Sequence, residues 1–298
     1  MAVETRKFLN YRAWIYALFF LVALSFIVPF LYILTASVSS EEFIYKYGYK
    51  MLPRQVSWAA YDLVFRNPQG IRDAYLVTAF QAAVGTFIGI VIMSLSGYTL
   101  SIPDFKLKRA ITFYIFFTML FSGGLIPIYI LNTQYLRIGN TIWIYIIPSL
   151  ASAFYIIVFR TFFQGLPSSL RESAKMDGAS ELTIYLRIIL PLSKPVLATI
   201  ALFVVLDRWN DWYTSLIYVR KPQLYTLQFL LQRILMQAQF IRDMARQFPQ
   251  FFKASQMKLP VEGIRFAMVV VAAGPMLVIF PFFQKYFVKG LTIGAIKG

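Results

Sequence analysis

The sequence predicts an all-α integral membrane protein with six transmembrane helices, and three observations carry that prediction. Charged residues make up only 14% of the 298-residue chain, where soluble domains carry roughly a quarter. Five runs, at 13–40, 74–103, 110–136, 138–159 and 266–284, contain no Asp, Glu, Lys or Arg. A helix needs about 20 mainly apolar residues to cross the hydrocarbon core, so each run is long enough. A sixth, 195–219, is apolar but interrupted by "DRWND" at 207–211. So many runs of this length do not fit buried core helices of a soluble domain.

The elements follow in order. Residues 1–12 are a basic N-terminal segment containing "RKFLNYR". The first span, 13–37, is too long an uncharged run for the apolar part of a signal peptide, and no small-residue cleavage pattern is evident; it is expected to be retained. A loop at 38–73 leads to the second span, 74–100. The turn 101–109, "SIPDFKLKR", precedes the third span, 110–131, where "FSGGLIPIY" puts Gly123, Gly124 and Pro127 at a place for a helix to bend, either around a passage or in close packing. The fourth span, 141–163, leads into a polar connecting loop at 166–194. The fifth, 195–219, a loop at 220–265, the sixth, 266–287, and a tail at 288–298 complete a six-span domain over 13–287.

Composition also excludes. The chain has no cysteine and no histidine, so disulfides, thiolate metal sites and imidazole bases are unavailable. "GK" followed by Ser or Thr never occurs, so ATP, if used, is bound by another chain. No catalytic residue, metal ligand or cofactor is assigned here. Charge counting leaves orientation open. With the N-terminus inside, Lys and Arg number 13 in the inner segments and 14 in the outer ones, where the positive-inside rule wants an excess inside. Much of the outer share lies in the 220–265 loop: Arg220, Lys221, Arg233, Arg242, Arg246, Lys253, Lys258 and Arg265, against Asp243 and Glu262. Such a surface either attracts an anionic ligand or simply solvates a loop.

Between spans four and five lies "RESAKMDGASELTIYLRIILPL", residues 171–192. Ser169-Leu170-Arg171-Glu172 has the form of a capping box, and a helix from it should stop near Asp177-Gly178, where glycine takes a left-handed turn. A second helix fits Glu181–Ile189, with Leu182, Tyr185, Leu186 and Ile189 as one apolar stripe. Two short helices jointed at a glycine suit a knob that docks in a partner's groove.

Here the sequence resembles a family. Glu172-Ser173-Ala174, then Gly178, then Ile188-x-Leu190-Pro191 is similar to the E-A-A---G---------I-x-L-P pattern of ABC importer permeases, with Ser173 as the single departure. The resemblance implies a type I ABC importer arrangement in which this stretch is a cytoplasmic coupling helix seated in an ATPase subunit. Glu172, Ser173, Ala174, Met176, Asp177, Gly178, Ala179 and Leu182 would make that contact, and both termini would be cytoplasmic. "LRIGNTIWIYIIPSL", "LDRWNDWY" and "FPFFQKYFVKGLTIGAIKG" resemble the carbohydrate-uptake branch, in particular the smaller maltose-type permease subunit. By that likeness the tail, through Gly294, Lys297 and Gly298, would reach the ATPase subunits. "FSGGLIPIY" and "LPVEGIRFAMVV" look like permeases for complex oligosaccharides, including the second permease subunit of an alginate-oligosaccharide importer.

The resemblance further implies a bacterial cytoplasmic membrane, with lipid around the spans and no nucleic acid. It implies a homologous second permease, two ATPase subunits holding ATP and Mg, and an extracytoplasmic solute-binding protein that delivers the oligosaccharide. Within the spans, Asp207 and Asp211 fall at i, i+4 with Arg208 beside them. Intramembrane charges mark function by default, and aromatic rings with Asn or Asp suit sugars. Asp207, Trp209, Asn210, Asp211 and Trp212, with Gly123 and Gly124, are therefore candidates to line a sugar path. The alternative is an Arg208–Asp211 pair that neutralises itself while the tryptophans anchor at the interface. Alternatives at the level of function are a permease for neutral oligosaccharides, one for amino acids or phosphate, and an ion-coupled secondary transporter.

Overall fold

The computed structural model describes residues 2–248 and 260–294. Regular structure among them is helical, apart from an isolated antiparallel bridge between Ser39 and Val56. Three helices are long and apolar enough to cross a bilayer: Ala13–Ser37, Pro68–Ser101 and Val261–Phe282. Three more candidates are bent helix pairs: Lys108–Leu120 with Leu125–Tyr135 at 112°, Ile142–Ser149 with Ala153–Gln164 at 47°, and Glu181–Leu192 with Lys194–Trp209 at 81°, the last joining the end of the connecting loop to the fifth span. Counted as spans they bring the total to 6, as the apolar runs predict.

The bends are sharper than simple kinks in continuous helices, the third span's falling where Gly123, Gly124 and Pro127 led one to expect it, and each has a local cause. The third span breaks at Phe121–Gly124, where Gly124 takes φ +84°, a left-handed conformation open to glycine at no steric cost. The fourth begins as short 3₁₀ turns, Ile142–Tyr145 and Ile147–Ser149. Pro148 lies there and has no N–H to continue an α ladder. The fifth opens with Pro195 in its first turn, where the missing N–H costs nothing. It ends at Trp209, and Tyr213–Tyr218 is a separate helix. Asp207 and Asp211 therefore do not share a helix face. At 16 residues, Lys194–Trp209 rises about 24 Å, less than the hydrocarbon thickness of about 30 Å.

The described residues divide into two compact units, Met1–Pro68 with Leu231–Pro275 and Gln69–Leu230 with Met276–Gly298. In the first, no residue in the most apolar stretch of the first span is buried, leaving a surface suited to lipid or a neighbouring subunit. The Glu41 carboxylate accepts from the backbone N–H of Glu262 and of Gly263, each at 3.3 Å. That satisfies two of the orphan donors in the first turn of Val261–Gly294. Ion pairs of Glu262 with Arg242 at 3.5 Å and Arg265 at 3.0 Å neutralise part of the cation-rich 220–265 loop. Lys253 and Lys258 of that loop lie outside the described residues.

The second unit holds the main core. Met93 from span two, Phe159 from span four, Ile200 and Val204 from span five pack with Ile184 and Tyr185 of the connecting loop. The polar stretch is thus anchored in the same core as the spans it joins.

Candidate functional site

The knob is built from two short helices and a glycine joint. The first, Ser168–Met176, begins one residue before the predicted capping box: Pro167 occupies the N-cap position with no side-chain bond. Ser169 falls inside the first turn, so the S-x-x-E box does not form. The far end matches expectation. Gly178 has φ +77°, its N–H donates to the Lys175 carbonyl at 3.0 Å, and the Ala179 N–H donates to the Ala174 carbonyl at 3.0 Å. These two bonds make a Schellman closure, which removes orphan carbonyls from the helix end. Ser180 then caps the next helix, its Oγ accepting from the Thr183 N–H at 3.2 Å.

Past Glu181–Ile184 the chain runs through a π turn, Tyr185–Ile189. The wider turn shifts the phase, so Ile184, Tyr185 and Ile189 are buried while Leu182 and Leu186 stay exposed. The single predicted stripe is therefore split. One part plugs the core, and there Tyr185 and Ser94 share a hydrogen bond of 2.7 Å. The other part, Leu182, joins the outward face of the knob. Met176 on that face is 89% exposed, and Glu172, Ser173, Asp177 and Gly178 are exposed beside it. Ala174 is buried and Ala179 partly so, which is why small residues suit both positions.

One carboxylate ties this arrangement together. Glu181 accepts from Arg171 (Nη2 to Oε1 2.7 Å, Nε to Oε1 3.2 Å) and from Tyr98 Oη at 2.7 Å, and pairs with Lys175 at 2.9 Å. Hydrogen bonds from Arg171 are the main cause holding its carboxyl down at about 2, below the ordinary 4.5, while burial pushes the other way. The same bonds raise the Arg171 guanidinium. Arg171 also lies 3.8 Å from Asp104 in the turn after span two. The knob's two helices and the end of span two are thus locked by charge-assisted bonds.

The second feature lies within the spans. Arg208 is 5% exposed and donates to two carbonyls of the span-four entry, Tyr145 at 2.9 Å and Ser149 at 2.8 Å. Its own carbonyl, at the end of the fifth-span helix, accepts from Gln81 Nε2 at 2.6 Å. Gln81 opens a π turn, Gln81–Gly85, inside span two; such turns concentrate at functional positions. A β-carbon at Gly85 would overlap the guanidinium where it now lies, so any larger residue there has to displace the end of the Arg208 side chain from its carbonyl bonds. Arg208 Nε and Gln81 Oε1 are buried without a partner among the described residues. The expected Arg208–Asp211 pair is not formed. The Asp211 Oδ1 instead accepts from the Thr214 N–H, in the first turn of Tyr213–Tyr218, at 3.0 Å.

The other candidates separate by exposure. Trp209 is buried beside Tyr75, ring centroids 6.4 Å apart, whereas Asp207, Asn210 and Trp212 are exposed. Gly123 and Gly124 sit at the exposed break in span three. Gly294 ends the last described helix, and Lys297 and Gly298 lie outside the described residues. Sequence reasoning missed Arg171, Glu181, Tyr98 and Gln81. Arg171 and Glu181 are ten residues apart, and only the turn at Gly178 brings them together.

Residues 74–293 match the protein family described as binding-protein-dependent transport system inner membrane component. The chain is 35% identical over 285 residues to the polygalacturonan/rhamnogalacturonan transport system permease protein YtcP of Bacillus subtilis, covering 95% of this chain and 97% of that one. It is 27% identical over 302 residues to the arabinooligosaccharides transport system permease protein AraQ of the same organism, covering 100% of both. Among solved structures it is similar to a chain from a bacterial ABC transporter involved in the import of the acidic polysaccharide alginate. That match has a TM-score of 0.74 and 29% identity, and covers 91% of this chain and 94% of the other.

Proposed function

The chain belongs to the binding-protein-dependent transport system inner membrane components, as a permease subunit of a carbohydrate ABC importer, and from that premise we propose that it couples ATP hydrolysis to the import of acidic oligosaccharides. The observation that carries the coupling half is the knob: Met176 and Leu182 exposed on a turn closed at Gly178 and locked through Glu181. An apolar residue held out from a rigid support is suited to a partner's groove. In this reading the groove belongs to an ATPase subunit on the cytoplasmic side, two of which bind ATP and Mg. A second permease completes the passage, and an extracytoplasmic binding protein delivers the cargo. Both chain termini face the cytoplasm, and the tail around Gly294, Lys297 and Gly298 reaches toward the ATPases.

Closing of the ATPase pair shifts the permease only through contacts that differ between its two states. The locked knob transmits such a shift as a rigid body. Arg208 sits where spans two, four and five meet, so a rotation of these helices has to break or carry its carbonyl bonds. The exposed Asp207, Asn210 and Trp212 supply the hydrogen-bonding and stacking groups of a sugar path.

The acidic-cargo half is supported by two relatives whose names refer to galacturonan and to alginate, polymers that bear carboxylates. The chain's formal net charge of +16 is consistent with that cargo. The arabinooligosaccharide relative favours a second reading, neutral cargo. A direct test reconstitutes the complete importer in vesicles and measures ATP-dependent uptake of oligogalacturonate, oligomannuronate and arabinotriose. Uptake of arabinotriose alone would overturn the acidic reading and leave the coupling reading standing.

A further inference from the structure

A cavity of about 600 Å³ opens between the turn after span two, the start of span three and span four. Its wall carries Lys106, Lys108, Arg109 and Arg160 and no carboxylate. Two polar atoms of its lining residues, Arg160 Nε and Thr112 Oγ1, are buried behind the wall without a hydrogen-bond partner among the described residues. Buried donors left unpaired are costly, and four cations around one cavity repel one another unless an anion joins them. The helix Lys108–Leu120 also begins here, so the positive end of its dipole adds to the field. The other side of the cavity is apolar, with Phe113, Phe116 and Ile157, and Phe113 continues onto an exposed helix face on which no residue is buried.

A ligand that fits is anionic at one end and hydrocarbon at the other. We propose that this cavity binds the phosphate headgroup of an anionic phospholipid, with an acyl chain lying along the Phe113–Phe116 side. Basic pockets between spans have this chemistry. Its position supplies a use: Asp104, in the same turn as Lys106, faces Arg171 at 3.8 Å. A headgroup bound here therefore steadies the turn against which the knob rests. The site is separate from the sugar path and does not depend on which sugar is carried.

The full-length chain, delipidated in a mild non-ionic detergent, is titrated with dioleoylphosphatidylglycerol, dioleoylphosphatidylcholine or inorganic phosphate. Thermal unfolding and native mass spectrometry are the readouts. Phosphatidylglycerol is expected to raise the melting temperature and remain bound, with the other two nearly inert. Each cation near an anionic headgroup is worth roughly fivefold in affinity, so Arg109→Gln/Arg160→Gln should weaken the lipid about 30-fold. If that pair fails to fold, Lys106→Gln/Lys108→Gln should weaken it in the same direction. An equal response to inorganic phosphate, lost in the variants, would make the occupant a free anion and overturn the lipid assignment. Unchanged lipid binding in a folded variant would overturn the site itself.

Discussion

Arg171 and Glu181 close the knob through two guanidinium nitrogens, at 2.7 and 3.2 Å from one carboxylate oxygen. The bond joins one helix of the knob to the other across the Gly178 turn, and Tyr98 extends it to span two. Met176 and Leu182 lie exposed outward of this clamp, and Ile184, Tyr185 and Ile189 are buried inward of it, so the clamp sets how stiffly the knob stands.

Acid should loosen it. The Glu181 carboxyl titrates at about 2 in the fold and at 4.5 when free. A depressed folded value means stabilisation is complete above 4.5 and is lost as pH falls from there toward 2. Glu181 is 39% exposed, so after solvent screening the clamp contributes about 1 kcal/mol. Glu181→Gln should therefore melt a few degrees below wild type at pH 7, and the gap should narrow steadily below pH 4.5. A gap of constant size down to pH 2.5 would show that the charge is not what matters.

The Gly178 turn makes a sharper demand. No atom lies within 4 Å of where a side chain would begin, so the position is limited by backbone conformation alone. Gly178→Ala should cost about 1 kcal/mol, Gly178→Val more, and Gly178→Asn least, because Asn accepts the left-handed region. Amide exchange across 168–182 is the measure, and protection should fall in the order Asn, Ala, Val. The reverse order would mean that packing, not φ, holds the turn.

Gly85 and Arg208 should behave as one unit. A methyl at Gly85 drives into the guanidinium, and Arg208→Met strips the donors from the Tyr145 and Ser149 carbonyls. Both single changes destabilise, but with Arg208 gone the methyl has less to strike. A double-mutant cycle on thermal stability should give a coupling of about 1–2 kcal/mol. Additivity within about 0.3 kcal/mol would separate the two residues.

The legible part of this molecule was what repeats or what stereochemistry compels. Runs without charge marked the spans, and Gly178 marked its turn because little else adopts φ +77° there. The Gly124 bend was legible for the same reason. The capping box was not, since the N-cap falls at Pro167, two residues before Ser169, and Ser169 loses its role. A π turn at Tyr185–Ile189 has no residue signature, so the apolar stripe was drawn straight where the chain shifts phase. Arg208 drew attention as a charge in a span, yet its partners are backbone carbonyls some sixty residues away. Sequence spacing offered Asp211, and the end of the helix at Trp209 withdrew it.

Met176 isolates coupling from folding. It is 89% exposed, so replacing it should change stability by no more than about 0.5 kcal/mol. If it seats in an ATPase groove, burying its side chain contributes about 1.5–3 kcal/mol to that contact, a factor of roughly 10 to 150 in affinity. Met176→Ser should lose most of this. Met176→Asp should lose more, because a carboxylate then enters an apolar groove without a partner. The readouts are co-purification of the ATPase subunits and cargo-stimulated ATP hydrolysis in the reconstituted importer, beside the melting temperature of the permease chain alone. Leu182→Ser should act in the same direction, since it lies on the same outward face. Leu186→Ser, exposed one turn further along, is the control for general loss of surface hydrophobicity. If Met176→Asp leaves hydrolysis and assembly intact, the knob is not the ATPase contact. If it lowers the melting temperature of the lone chain as well, Met176 supports the fold and is not a docking residue.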